Sequence, residues 1–100
     1  MNAPVLSLQQ LDEVRATLRA YVVENHLPPG PVYMVSDDED LFETGVLDSA
    51  ALLSFLTFVE AEYGLSIPDE DLIPERFATL TAVATYILHA LHSRATEGGV

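Results

Sequence analysis

The chain has 100 residues, 49 % of them apolar, and carries 16 acidic residues against four arginines, with no lysine and no cysteine, for a formal charge of −12. That length suits a single domain with one core, and the lack of cysteine rules out disulfides, thiolate metal sites and a thiol nucleophile. The charge repels nucleic-acid phosphates and anionic membrane surfaces; it suits basic partner proteins, and it equally serves to keep a small domain in solution.

Residues Met1 to Leu6 show no basic stretch followed by an apolar one, so no secretory signal is expected there and the chain reads as cytoplasmic. No apolar run approaches the roughly 20 residues that span a bilayer. Residues 1–6 are expected to be a flexible N-terminus, 7–93 the domain, and 94–100 a flexible tail, since Ala95 to Val100 offers little to pack.

Ser7 with Gln10 three residues on forms a capping box that opens the first helix. Leu8, Leu11, Val14, Leu18, Tyr21 and Val22 then recur at helical spacing, and the run ends before Pro28, Pro29, Gly30 and Pro31. The spacing predicts a helix over Ser7 to Asn25. A long connection follows, from Leu27 to Leu47, with Val32, Tyr33, Met34, Val35, Leu41, Phe42, Val46 and Leu47 as its candidate anchors. Gly45 is placed where a positive φ would turn the chain into the next helix.

Asp48 reads as an N-cap, and the second helix runs to Tyr63, stopped by Gly64. Leu52, Phe55, Leu56, Val59 and Tyr63 make its core stripe, while Leu53 and Phe58 fall beside that stripe. This helix is therefore apolar over more than folding requires. Asp69 to Ile73 allows only a short helix or turn, and Pro74 to Phe77 a tight turn that points Phe77 inward. Thr79 caps a last helix with Leu80, Val83, Ala84, Ile87, Leu88 and Leu91 at helical spacing. The prediction is an all-α, small four-helix bundle, three helices long and one short, with a long loop between helices 1 and 2.

Ser49 stands in the first turn of the second helix, where unpaired N–H groups and the positive end of the helix dipole favour a phosphate. An Asp-Ser pair by itself is most often an ordinary cap. The run Asp40-Leu41-Phe42-Glu43-Thr44-Gly45-Val46-Leu47-Asp48-Ser49, however, resembles the phosphopantetheine attachment motif of acyl carrier proteins and peptidyl carrier domains. The resemblance continues through Glu60 to Leu72, and closes with Phe77-Ala78-Thr79-Leu80 and the last helix to Tyr86-Ile87. It covers about half of the chain at motif level.

The resemblance implies an acyl-carrier-protein-like fold and a non-catalytic carrier. Ser49 would be the attachment residue, with Asp48 beside it, for 4′-phosphopantetheine delivered from coenzyme A by a phosphopantetheinyl transferase. The arm's thiol would hold an acyl or aminoacyl group as a thioester and present it to a loading ligase or synthase and to downstream acyl-transfer enzymes, raising its effective concentration there. By position, Asp48, Ala50, Leu53, Thr57 and Glu60 would face such partners.

The sequence departs from fatty-acid-synthase carriers where Ala50 follows the serine and where Ser54 and Thr57 replace expected charges. Leu53, four residues past Ser49, shares its face. That points to a more apolar docking surface, and to a dedicated biosynthetic carrier rather than a housekeeping lipid carrier; Leu53 packed under the long loop is the alternative. The rival to the carrier is an unmodified helical adaptor that docks a partner through helix 2, with Ser49 only a cap.

No metal site is expected. An EF-hand loop opened by Asp37-Asp38-Glu39-Asp40 would need glycine and glutamate where Phe42 and Asp48 stand. His89 and His92, spaced i, i+3, have no acidic or thiol ligand near them in sequence and read as surface histidines. With no glycine-rich phosphate loop and no nucleophile–base pair, an enzyme is not expected. A monomer is expected, because the helices can cover one another, although the spare apolar residues of helix 2 leave weak dimerisation open.

Overall fold

A computed structural model describes residues 8–26 and 35–98, with side chains through 93. The described residues form three α-helices, α1 (Leu8–His26), α2 (Ser49–Tyr63) and α3 (Leu80–Gly98), and no strand. The Ser7 half of the expected capping box, and the anchors Val32, Tyr33 and Met34, lie outside the described residues.

The expected fourth helix is not an α-helix. Two 3₁₀ turns stand in its place, Asp69–Asp71 and Pro74–Phe77. Pro68 and Pro74 fix φ on either side of residues 69–73 and remove two N–H donors, so no α-turn has room to propagate. The chain closes instead through short bonds from Asp71 N to Pro68 O (2.9 Å), Leu72 N to Asp69 O (3.1 Å) and Arg76 N to Ile73 O (2.8 Å). The backbone of α3 runs on to Gly98, past the bound expected at 93.

The predicted stripes meet in one core. Val14, Leu18 and Val22 of α1 join Leu52, Phe55, Leu56 and Val59 of α2 and Leu80, Val83, Ala84, Ile87 and Leu88 of α3, closed by Ile67 and Phe77. No polar or charged residue is buried among the described residues. Leu8 departs from its stripe: it is 77 % exposed, lying at the end of α1 beyond the core.

Phe58 and Leu53 have different fates. Phe58 stacks on Tyr21 of α1, with ring centroids 4.2 Å apart, and Tyr21 stacks in turn on Phe55 at 5.8 Å. The extra apolar width of α2 is thus partly an aromatic seam to α1. Leu53 takes no part in that seam and is 61 % exposed.

Residues 35–48 are held as a built structure despite lacking regular periodicity. Val35, Leu41, Val46 and Leu47 are buried in the common core, with Phe42 packed at its edge. Leu47 N donates to Leu41 O (2.9 Å), which closes a turn, and Leu41 N donates to Ala78 O (2.8 Å), which ties that turn to the approach to α3. Within it, one oxygen of Asp40 accepts the N–H groups of Phe42 (2.9 Å) and Glu43 (3.0 Å). Gly45 has φ +82° with open space where a Cβ would stand, so it is the backbone conformation, not crowding, that calls for glycine.

Candidate functional site

The turn 41–47 delivers the chain to Asp48, whose extended backbone (φ −116°, ψ −172°) ends the loop and opens α2. The Asp48 side chain accepts the Ala51 N–H at 2.8 Å and its carbonyl accepts the Leu52 N–H at 2.8 Å. The Leu52 bond opens the helical ladder, and the side-chain bond satisfies one of the N–H groups that precede it, that of Ala51. Those of Ser49 and Ala50 remain at the positive end of the helix, beside the Ser49 hydroxyl.

Ser49 is the first helical residue and is exposed, as are Asp48 and Ala50. The hydroxyl therefore stands on a rigid helix start, open to an approaching enzyme, and a phosphate bonded to it would lie where backbone dipoles favour negative charge. With its carboxylate committed to Ala51, Asp48 shapes the cap; nothing in the geometry makes it a base for Ser49.

Of the remaining residues expected on the docking face, Ala50, Leu53 and Thr57 are exposed. The Thr57 hydroxyl turns back to donate to Leu53 O at 2.9 Å. Glu60 is half-buried, and one of its carboxylate oxygens accepts the Ile67 N–H at 2.8 Å, which pins the chain after Gly64 to the end of α2. Gly64, at φ +65°, donates to Glu60 O and makes the C-cap. From Ala50 to Thr57 the exposed surface of α2 carries no charge.

A second polar group lies where the 3₁₀ turns meet α3. The Tyr86 hydroxyl donates to Asp71 Oδ2 at 2.7 Å, and Arg76 Nη1 stands 3.5 Å from Asp71 Oδ1. Burial, and then the Asp71 carboxylate, push the Tyr86 phenol up to about 12. His89 lines an open groove of about 380 Å³ beside Tyr86 and Arg76. Among the described residues no group of three or more histidine, cysteine or acidic side chains is arranged to hold a metal ion, and no helix is long and apolar enough to cross a membrane.

In the acidic run 37–40, Asp37, Glu39 and Asp40 are structural acceptors, while Asp38 is exposed. Glu39 Oε1 takes the Ser36 N–H at 2.9 Å, Asp40 caps the turn, and Asp37 pairs with both Arg15 and Arg19 of α1. Sequence reasoning did not single out these arginines. Their i, i+4 spacing on α1 put them on one face, but only the fold shows which acidic residue meets that face.

A family model described as "Phosphopantetheine attachment site" matches residues 9–87. That family binds 4′-phosphopantetheine covalently. A comparison with curated proteins finds no match. The residues present fit the group: an exposed serine hydroxyl opens a capped 15-residue helix, two N–H donors stand beside it, and no cysteine of the chain competes with an added thiol.

Proposed function

Because the chain belongs to the phosphopantetheine-attachment family, we propose that it is an acyl carrier protein whose arm is bonded to Ser49. The observation that supports this reading is the exposed Ser49 hydroxyl at the capped start of α2, preceded by the Leu41–Leu47 turn. When bound, 4′-phosphopantetheine supplies a terminal thiol able to hold an acyl or aminoacyl group as a thioester. The chain's own part is to accept and position. Ser49 Oγ forms the phosphoester bond as the pyrophosphate bond of coenzyme A breaks, adenosine 3′,5′-bisphosphate leaving and the hydroxyl proton passing to the transferase; the Ser49 and Ala50 N–H groups steady the phosphate charge, and the Asp48 cap holds the first turn in place. Tethering then raises the cargo's concentration at each enzyme it visits.

Carrier domains of this family work with a phosphopantetheinyl transferase and with acyl-handling enzymes, and catalysis belongs to those partners. For this chain the partner face is the exposed side of α2, including Ala50, Leu53 and Thr57. The absence of charge from Ala50 to Thr57, with the Glu60 carboxylate engaged by the Ile67 N–H, favours a dedicated biosynthetic carrier, of the secondary-metabolite or aminoacyl kind, over a housekeeping fatty-acid carrier. Intact mass before and after incubation with coenzyme A and a broad-specificity phosphopantetheinyl transferase tests the reading. A gain of one phosphopantetheine in the wild type and none in Ser49→Ala is expected. No gain in folded, initially unmodified wild type would return the unmodified adaptor.

A further inference from the structure

In a chain with 16 acidic residues and only four cationic ones, two arginines converge on a single aspartate. Arg19 pairs with Asp37 Oδ1 and donates its Nε–H to Val35 O at 3.0 Å. Arg15 places Nε 3.6 Å from Asp37 Oδ2, an ionic contact beyond hydrogen-bond reach, and donates from Nη1 to the Thr81 hydroxyl at 3.1 Å. The Asp37 carbonyl accepts the Thr81 N–H at 3.1 Å. Asp37 is thus the point where α1, the start of the 35–48 segment and the first turn of α3 are joined by polar contacts.

Such a joint adds little to global stability, because the charge attraction of a partly exposed ion pair is largely offset by solvent screening and side-chain ordering. Its effect is local. Downstream of it, Leu41 N donates to Ala78 O, and between the two lies the run that leads into the turn before Ser49. The exposed residues of that turn, Glu43, Thr44 and Gly45, lie within six residues of Ser49, so an enzyme closing on the Ser49 hydroxyl meets the turn as well as α2.

We infer that Asp37 is a positioning residue for the modification of Ser49, acting through residues 38–40, which lead from its joint with α1 and α3 into the 41–47 turn. The inference rests on the reading that Ser49 is the attachment residue. It assigns the joint to recognition by the modifying enzyme, not to the chemical step.

Steady-state phosphopantetheinylation of the full chain, with coenzyme A and one transferase, tests this on wild type, Asp37→Asn and Asp37→Glu. For Asp37→Asn the expected result is a KM for the carrier raised about fivefold, corresponding to the loss of about one weak interaction, with kcat held within about twofold and helical circular dichroism unchanged. Asp37→Glu, which keeps a carboxylate within reach of both guanidinium groups, recovers most of the KM. A wild-type KM in Asp37→Asn, or a loss in kcat alone, overturns the inference while leaving the carrier reading intact. Failure of the wild type to be modified, or persistence of modification in Ser49→Ala, overturns both. If Asp37→Asn does not fold, Arg19→Gln, which retains the Arg15 contact, is read by the same criterion.

Discussion

The Asp48 carboxylate accepts the Ala51 N–H at 2.8 Å, tying off the first turn of α2 around Ser49. Asp48→Ala removes that acceptor and is expected to cost about 1 kcal/mol, as loss of an N-cap does, whereas Asp48→Asn keeps an oxygen in place and retains most of it. Urea denaturation of the three proteins measures the difference. Equal midpoints would mean that the first turn stands without its cap.

Tyr86 and Asp71 give the fold a signature at high pH. Burial and the neighbouring carboxylate raise the Tyr86 phenol to about 12, above the value of about 10 expected for the unfolded chain. A proton held more tightly in the folded state stabilises it fully below about pH 10, and that contribution disappears as pH rises through about 12. Tyr63 is raised as well, chiefly by burial, and contributes in the same direction. Denaturant midpoints from pH 8 to 12 should therefore fall more steeply for wild type than for Tyr86→Phe; identical slopes would remove Tyr86 from the account.

Phe58 and Leu53 flank the core stripe of α2 on opposite sides, and the structure assigns them opposite weights. Phe58→Ala breaks the stack on Tyr21 and should destabilise by more than about 1 kcal/mol. Leu53→Ala trims a side chain that is 61 % exposed and should change stability by less than about 0.5 kcal/mol. Thermal unfolding of both variants decides; a costly Leu53→Ala would mean that this side chain is packed after all.

Gly45→Ala introduces a Cβ at φ +82° with nothing within 4 Å to strike it. The penalty is therefore conformational alone, about 1 kcal/mol, and Gly45→Asn should lose less because asparagine tolerates this backbone. Chemical denaturation gives both values, and an alanine variant as stable as wild type would contradict the assigned turn.

The helices were legible because each carries an apolar stripe at a single period. Val14, Leu18 and Val22, or Val83, Ala84 and Ile87, need no knowledge of their partners to be placed inward. The caps at Asp48, Gly64 and Thr79 were legible too, since each acts within a few residues of itself; Thr79 Oγ1 accepts the Ala82 N–H at 2.9 Å as a local cap should. What local pattern does not contain is pairing at long range. Asp37 reads as one acid of a solvated run until the fold brings Arg15 and Arg19 to it. The bond from the Ile67 N–H to Glu60 likewise exists only once the chain after Gly64 has turned back. The short fourth helix gave way to two 3₁₀ turns because Pro68 and Pro74 leave too few donors between them, a constraint visible in the sequence but not decisive there between a helix and a turn. Ser49 stands out only through the residues that resemble an attachment motif; a serine after a capping aspartate has no distinguishing chemistry of its own.

The central claim is that one serine, at the start of α2, bears the arm. Fragment-ion mapping of the protein modified with coenzyme A and a phosphopantetheinyl transferase tests it most directly, because Ser54 and Ser66 are also exposed and offer the same hydroxyl. The account predicts one phosphopantetheine per chain, confined to the peptide containing Ser49 and placed on that residue. Modification at Ser54 or Ser66, or spread among the serines, would contradict it.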